Sequence, residues 1–414
     1  MIDMKKTFLA LVITTGLLGC GRPPMDKRAF NNLKSNIIVA GQTDTICKFT
    51  DRFPNNAQVA IAIIKDGQTT YFGLKRINDT LIVIQNRDSA FEIGSITKVF
   101  TATILANFAI KGELKLEDKI NPNFDFSFNE NLEFTYKELA NHTSGLPRLP
   151  GNLRFAAFFN QSDPYKNYDE QKLDDYLKND ISLDYPKGSK SEYSNLGMGL
   201  VSYALRKYSG HSFEYLAKDM IFDKYNMLHS STNKTKIANT LVEGLDDRGK
   251  PTTNWTPGAL IGIGGIYSTV EDLSKFAIAQ FDSTNFELTL TRVKTFKETE
   301  TRDVGLGWFI INRKNGDHWY WHNGGTGGYS SSIVVDVENK NGIIILTNLS
   351  SYHSQFENID RLSFALMETL VTKVNKAEPL TNAIANAGLS RFLRDRMCSM
   401  KHLESLYTFV LADS

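Results

Sequence analysis

Three short stretches of the chain carry residue types and spacings that suit covalent hydrolysis. The first is Ser95-Ile96-Thr97-Lys98. A serine and a lysine at positions i and i+3 share one helix face, and a helix start directs positive dipole at the hydroxyl and at any oxyanion formed there. For Lys98 to take the serine proton near neutral pH, its pKa must fall from ~10.4 by about three units, roughly 4 kcal/mol of desolvation and neighbouring charge. Alone the tetrad is a weak signal, since it recurs at Ser231-Thr232-Asn233-Lys234 in a polar stretch with no apolar helix behind it. The second stretch, Tyr193-Ser194-Asn195, follows a Pro186-Lys187-Gly188 turn and precedes an apolar helix pattern. A phenol can relay a proton, and an asparagine can both donate to and accept from a substrate amide. The same spacing occurs at Tyr165-Lys166-Asn167 inside a polar loop, and taken alone Tyr193 to Asn195 reads as a capped helix start. The third, His322-Asn323-Gly324-Gly325-Thr326-Gly327-Gly328, runs out of a strand pattern. Glycines there allow a ligand to approach the backbone, so that a main-chain N–H can face a developing oxyanion; the plain alternative is a glycine-rich turn between two strands. Competing motifs (GxSxG, HExxH, HxHxDH, GxxxxGK[ST] and GxGxxG) are absent.

The elements that must position these residues follow from periodicity. Alternation in residues 57–65, an Asp66-Gly67 turn and residues 69–73 predict a hairpin, with a further strand at 81–85. From Ser95 the apolar positions Ile96, Val99, Phe100, Ile104, Leu105 and Phe108 recur at helical spacing until Gly112. Residues 113–290 read as polar-interrupted and helix-rich, with helices at 196–208, 213–225 and 269–281. Strands return at 307–312, 319–322, 331–337 and 342–348, each pair separated by a turn as in an antiparallel meander. Strands, then helices, then strands imply an α+β sheet whose first and last strands meet, not a βαβ repeat.

Taken jointly, the three motifs, 98 and then 129 residues apart, resemble the serine β-lactamase and penicillin-binding-protein superfamily. The nearest likeness is to its class C branch, which also holds D-alanyl-D-alanine carboxypeptidases, D-amino-acid amidases and esterases. It runs over residues 50–350 and includes FEIGSITKVFTA from Phe91, LANHTSGLP from Leu139, GGIYSTVEDL from Gly264 and NGGTGGYS from Asn323. The resemblance implies a β-lactamase/transpeptidase-like fold, an antiparallel sheet flanked by helices with an inserted, mainly helical subdomain. It implies Ser95 as the acylated nucleophile, Lys98 and Tyr193 sharing its proton, and Asn195 holding the substrate amide. The backbone N–H groups of Ser95 and Gly325 would form the oxyanion hole, with Gly324 beside them, and His142 would be structural near the site entrance. No metal or cofactor is implied. β-Lactamases of this branch carry Lys-Thr-Gly where this chain has His322-Asn323-Gly324. Histidine there resembles the peptidase and esterase members, and Asn323 stands where a threonine is expected to bond the substrate carboxylate. With an ordinary pKa of about 6.5, His322 would make carboxylate-bearing substrates bind more weakly as pH rises past about 6 to 7.

The function expected is an acyl-enzyme serine hydrolase acting on an amide or ester, such as a D-Ala-terminated peptidoglycan peptide. A β-lactamase or small-ester esterase of the same fold is the alternative, and a non-catalytic peptidoglycan-binding lipoprotein is the reading of another class. With 47 Lys+Arg against 46 Asp+Glu there is no global field for a nucleic acid. Lys5 and Lys6 precede an 11-residue, mostly apolar run, residues 8–18, roughly 16 Å of helix and about half of a ~30 Å hydrocarbon core, which fits a secretory signal better than a span. Leu17-Leu18-Gly19-Cys20 resembles the lipobox of bacterial lipoproteins, so Cys20 is the expected lipidation site, membrane contact is through that anchor, and the expected location is the bacterial cell envelope. The organisation expected is a lipoprotein signal peptide at 1–20, a tether and N-terminal segment at 21–49, the hydrolase domain at 50–375 and a helical extension at 376–414. Cys47 and Cys398 remain after Cys20, and an oxidising compartment would allow them to pair.

Overall fold

The computed structural model describes residues 27–153, 159–160 and 162–371. Its most apolar strands, β2 (Gln58–Lys65) and β12 (Asn341–Thr347), lie side by side in the middle of a ten-stranded sheet. Their near-continuous apolar runs follow from burial on both faces. Ala60, Ala62 and Ile64 project into one core, whereas Val59, Ile61 and Ile63 project into the other. On one side of β2 come β3 (Gln68–Ile77), β4 (Thr80–Ile84) and β1 (Phe30–Asn32). On the far side of β12 come β11 (Ser330–Asp336), β10 (His318–Gly325), β9 (Phe309–Asn312), β8 (Arg302–Val304) and β7 (Phe296–Lys297). Every pairing in this sheet is antiparallel except β1 with β4. The expected union of first and last strands is the β2–β12 ladder, which runs from Ile64 opposite Gly342 to Val59 opposite Thr347. A second, two-stranded sheet joins β5 (Phe91–Glu92) to β6 (Tyr267–Ser268). The hairpin turn is as expected, with Asp66 and Gly67 both at positive φ.

Helices cover both faces, which makes the fold α+β. On one face α1 (Ala40–Thr50) and the helix Asn358–Leu370 contribute Ile46, Ile359, Leu362 and Leu366 to the core. Residues 27–50 therefore contain a strand and a helix, and the buried Arg76 guanidinium fastens them by donating to the carbonyls of Lys27, Asp51 and Phe53. Against the other face lies α2 (Thr97–Ile110), buried nearly all round. The chain from 113 to 292 is the expected helix-rich insertion, with helices at Glu170–Asn179, Asn195–Ser209, Val270–Ala279 and Phe286–Arg292. One expected helix is shorter: Phe213–Ala217 gives way to a π-type turn at Lys218–Phe222. Ser95 likewise precedes α2, in a 3₁₀ turn at Gly94–Ile96. Residues 1–26 with Cys20, and residues 372–414 with Cys398, lie outside the described residues.

One buried side chain bridges three parts of the chain. Asn348, just past β12, accepts from the Gln58 N–H and donates to the carbonyls of Asn56 and Glu243. Replacing it removes three partners at once and leaves their polar groups unpaired. Asn348→Ala should lower unfolding stability by roughly 2–4 kcal/mol, read from urea unfolding with unchanged slope; a loss under ~0.5 kcal/mol would show that water replaces the bridge.

Candidate active site

Glycine brings the nucleophile to the sheet. Gly94 has φ +50°, and a β-carbon there would sit 2.6 Å from the Gly325 nitrogen. A β-carbon on Gly324 would collide with the Ile93 carbonyl oxygen. The turn bearing Ser95 therefore rests backbone to backbone on the end of β10, a contact fastened by Ser331 Oγ donating to Ile93 O at 2.8 Å. This places the Ser95 turn beside Gly325, as an oxyanion pocket built from main-chain N–H groups requires.

Lys98, the second residue of α2 and one turn beyond Ser95, is fully buried. Its Nζ donates to Ser95 Oγ at 3.0 Å and to the Ile263 carbonyl at 2.9 Å. Burial, and secondarily the Arg148 charge, drives its pKa well below the ordinary lysine value. No carboxylate of the described residues pairs with it. Tyr193 reaches the same serine hydroxyl, and its ring lies 5.0 Å from Lys98 Nζ. Burial pushes the phenol up to about 12, against smaller opposing effects of Ser95 and Arg148. The two shifts run in opposite senses for the charged forms: burial favours a neutral Lys98 amine and a protonated Tyr193 phenol.

Ser194 caps the next helix, its Oγ accepting from Gly197 N–H, and Asn195 is the first helical residue. Asn195 Nδ2 donates to the Tyr165 hydroxyl at 2.9 Å, leaving the other end of the buried amide free for a ligand. Tyr165, set aside in sequence as a repeat of the Tyr-x-Asn spacing in a polar loop, is thus part of the site. It packs edge-on against Trp255, whose backbone N–H donates to Oε1 of the buried Glu92 at 2.9 Å. Burial raises the Glu92 carboxyl to about 7. No local signal marked Tyr165, Glu92 or Arg148. The other tetrad is elsewhere engaged, with Ser231 Oγ donating to Glu214 and Lys234 exposed. His142, at φ +64°, accepts from the Ser194 N–H through Nδ1 and so holds the Tyr193–Asn195 segment.

The third motif differs from its expectation in two ways. Along β10 the side chains alternate, so His322 faces the serine side while Asn323 faces the opposite side of the sheet. Asn323 Nδ2 donates to Asp360 Oδ2 at 2.6 Å, and Trp321 Nε1 donates to the same carboxylate. Asn323 therefore does not stand in for a threonine that bonds a substrate carboxylate. His322 Nδ1 lies 2.6 Å from the Asn323 carbonyl. A carbonyl only accepts, so the proton is on Nδ1, and the buried Nε2, which has no partner among the described residues, offers a lone pair. Burial first, and the Lys98 charge second, lower the His322 pKa to about 3. The expected change at pH 6 to 7 is thus not a His322 titration, because the ring is neutral on both sides of that range. Among the described residues no group of three or more His, Cys, Asp or Glu is placed to hold a metal ion.

Residues 50–366 match the Beta-lactamase family. Penicillin-binding protein 4* of Bacillus subtilis (strain 168) is 28% identical over 291 residues, covering 63% of this chain and 61% of that protein. Protein flp of Staphylococcus aureus (strain MRSA252) is 25% identical over 334 residues, covering 75% and 63% respectively. The chain spans about three fifths of the length of these curated relatives. The fold is similar to that of the octameric penicillin-binding protein homologue from Pyrococcus abyssi, with a TM-score of 0.65 at 22% identity, covering 79% of this chain and 77% of that one.

A base at Lys98 would have a pH signature. A lysine with a depressed pKa is neutral, and able to accept, only above that pKa, so kcat/KM for a neutral ester should rise through the Lys98 limb and then stay level. Lys98→Ala should remove the limb and lower turnover by roughly 10²–10⁴-fold. A wild-type inflection at pH 6 to 7 that His322→Gln abolishes and Lys98→Ala retains would reverse the assignment.

Proposed function

The chain belongs to the beta-lactamase family, a family of serine hydrolases, and on that premise we propose that it cleaves an amide or ester through an acyl-enzyme on Ser95. The observation that carries this reading is the burial of Lys98, with no carboxylate beside it among the described residues, 3.0 Å from the Ser95 hydroxyl. Ser95 Oγ attacks the substrate carbonyl as its proton passes to the neutral Lys98 amine, and the oxyanion is held at the Ser95 and Gly325 N–H groups. The carbonyl-to-leaving-group bond then breaks, and the leaving atom takes a proton from Tyr193, which Lys98 replaces. Water repeats the attack on the acyl ester, giving its proton back along the same path to Ser95 and releasing the acid.

A D-Ala-terminated peptidoglycan peptide is the substrate proposed, in keeping with relatives named as penicillin-binding proteins. A small neutral ester is the second reading, favoured by His322: its free Nε2 is an acceptor, which a carboxylate would not approach. The proposed location is the cell envelope, with Cys20 carrying a lipid anchor.

Labelled penicillin or a fluorophosphonate should add its mass to the intact protein, with the adduct on the peptide containing Ser95. Ser95→Ala should lower turnover by roughly 10⁴- to 10⁶-fold; near wild-type turnover in this variant would end the acyl-enzyme reading, and an unlabelled, inactive wild type would favour a binding protein. Palmitate labelling should disappear in Cys20→Ala, whereas a wild type that takes up no label and partitions into water would remove the anchor.

A further inference from the structure

A substrate ending in a carboxylate needs a cation at the mouth of this site, and the third motif does not supply one. Arg148 does. Its backbone is fixed to the segment that carries Tyr193 and Asn195: the Arg148 carbonyl accepts from Leu196 N–H at 3.1 Å, and the neighbouring Pro147 carbonyl accepts from Ser194 Oγ at 2.7 Å. The side chain is exposed, and its guanidinium carbon lies 5.0 Å from the centre of the Tyr193 ring. Among the described residues no carboxylate pairs with it. Its charge acts on Lys98, Tyr193, Tyr165 and His142 of the site and on Tyr352. An arginine held over the proton-donating phenol and left without an acid is placed for an anion that arrives with the substrate.

We propose that Arg148 binds a carboxylate on the leaving group, so that the site selects amides or esters whose departing half ends in a free carboxylate next to the scissile bond. This rests on the acyl-enzyme reading, which also sets the direction. Tyr193 protonates the leaving atom, so the leaving group departs on the Tyr193 side. In an amino acid the amine nitrogen and carboxylate carbon are two bonds apart, roughly 2.5 Å. A leaving group at the phenol therefore puts its carboxylate within reach of the guanidinium above that ring. His322, with its bare Nε2, and the turned-away Asn323 offer an anion no donor, so the selection falls to Arg148 alone.

The test compares a diacetyl-L-lysyl-D-alanyl-D-alanine peptide with its C-terminal amide, and benzoylglycyl-thioglycolate with its thioglycolamide counterpart. The readout is the ratio of kcat/KM for free acid over amide, in which any effect of Arg148 on Lys98 cancels. Wild type should prefer the free acid in at least one pair, and added salt should shrink the preference. Arg148→Gln should lower the ratio about 10- to 100-fold, and Arg148→Lys should restore part of it, since it keeps the charge and loses the fork. An unchanged ratio in a folded Arg148→Gln overturns the proposal. So does a salt-insensitive wild-type ratio, a preference for the amides, or an enzyme that a neutral fluorophosphonate labels at Ser95 and that cleaves neither free acid. If Ser95 takes no label and no substrate turns over, the acyl-enzyme reading itself falls, and the role of Arg148 with it.

Discussion

An amine buried without a counter-ion is the constraint on which this structure turns. Among the described residues Lys98 has no carboxylate beside it, and its amine donates to a serine hydroxyl and a single carbonyl, that of Ile263. Desolvation of this kind favours the neutral amine and opposes folding with the proton in place. It demands a helix buried all round and a chain packed tightly against it. α2 meets the first demand. The second is met at residues 262–263, where Thr101 Oγ1 donates to the Gly262 carbonyl at 2.6 Å and a β-carbon on Gly262 would meet the Ser202 and Thr101 side chains. The two-core sheet is what allows so much of one helix to be dry, since its other face is covered independently by α1 and the Asn358–Leu370 helix.

Backbone contact is the second constraint. Gly94, Gly324 and Gly325 let the nucleophile turn touch the end of β10, and a side chain at Gly94 or Gly324 would push the two apart. The same strand then sorts its functional and structural residues by alternation. His322 points to the serine, while Trp321 and Asn323 point to Asp360, whose own pKa is raised by burial. With histidine in this place the site has an acceptor where a lysine would put a permanent cation.

Much of this was legible in local pattern. The hairpin, the meander, the apolar helix after Ser95 and the meeting of first and last strands were read from period and turn chemistry, which depend on neighbours in sequence. Tyr165 was not, because what distinguishes it from a loop tyrosine is Asn195, thirty residues away. Asn323 could have been placed by the two-residue period of its own strand, had β10 been followed past His322 to Gly325. The expected His322 titration is displaced for another reason: burial and the Lys98 charge lower the pKa of the ring, and neither is written in the residue type.

The sequence alone determined the type and order of the elements, the three motifs and the glycines that let them approach, because helical period, strand alternation and positive-φ turns are properties of adjacent residues. Only the tertiary structure decided which amine is buried beside the serine, which nitrogen of His322 is bare, which way Asn323 faces and what Arg148 overlooks. Each of those depends on segments far apart in the chain, such as Ile93 and Ser331 at a separation of 238 residues, coming close enough to exclude water and to act on one another's charge.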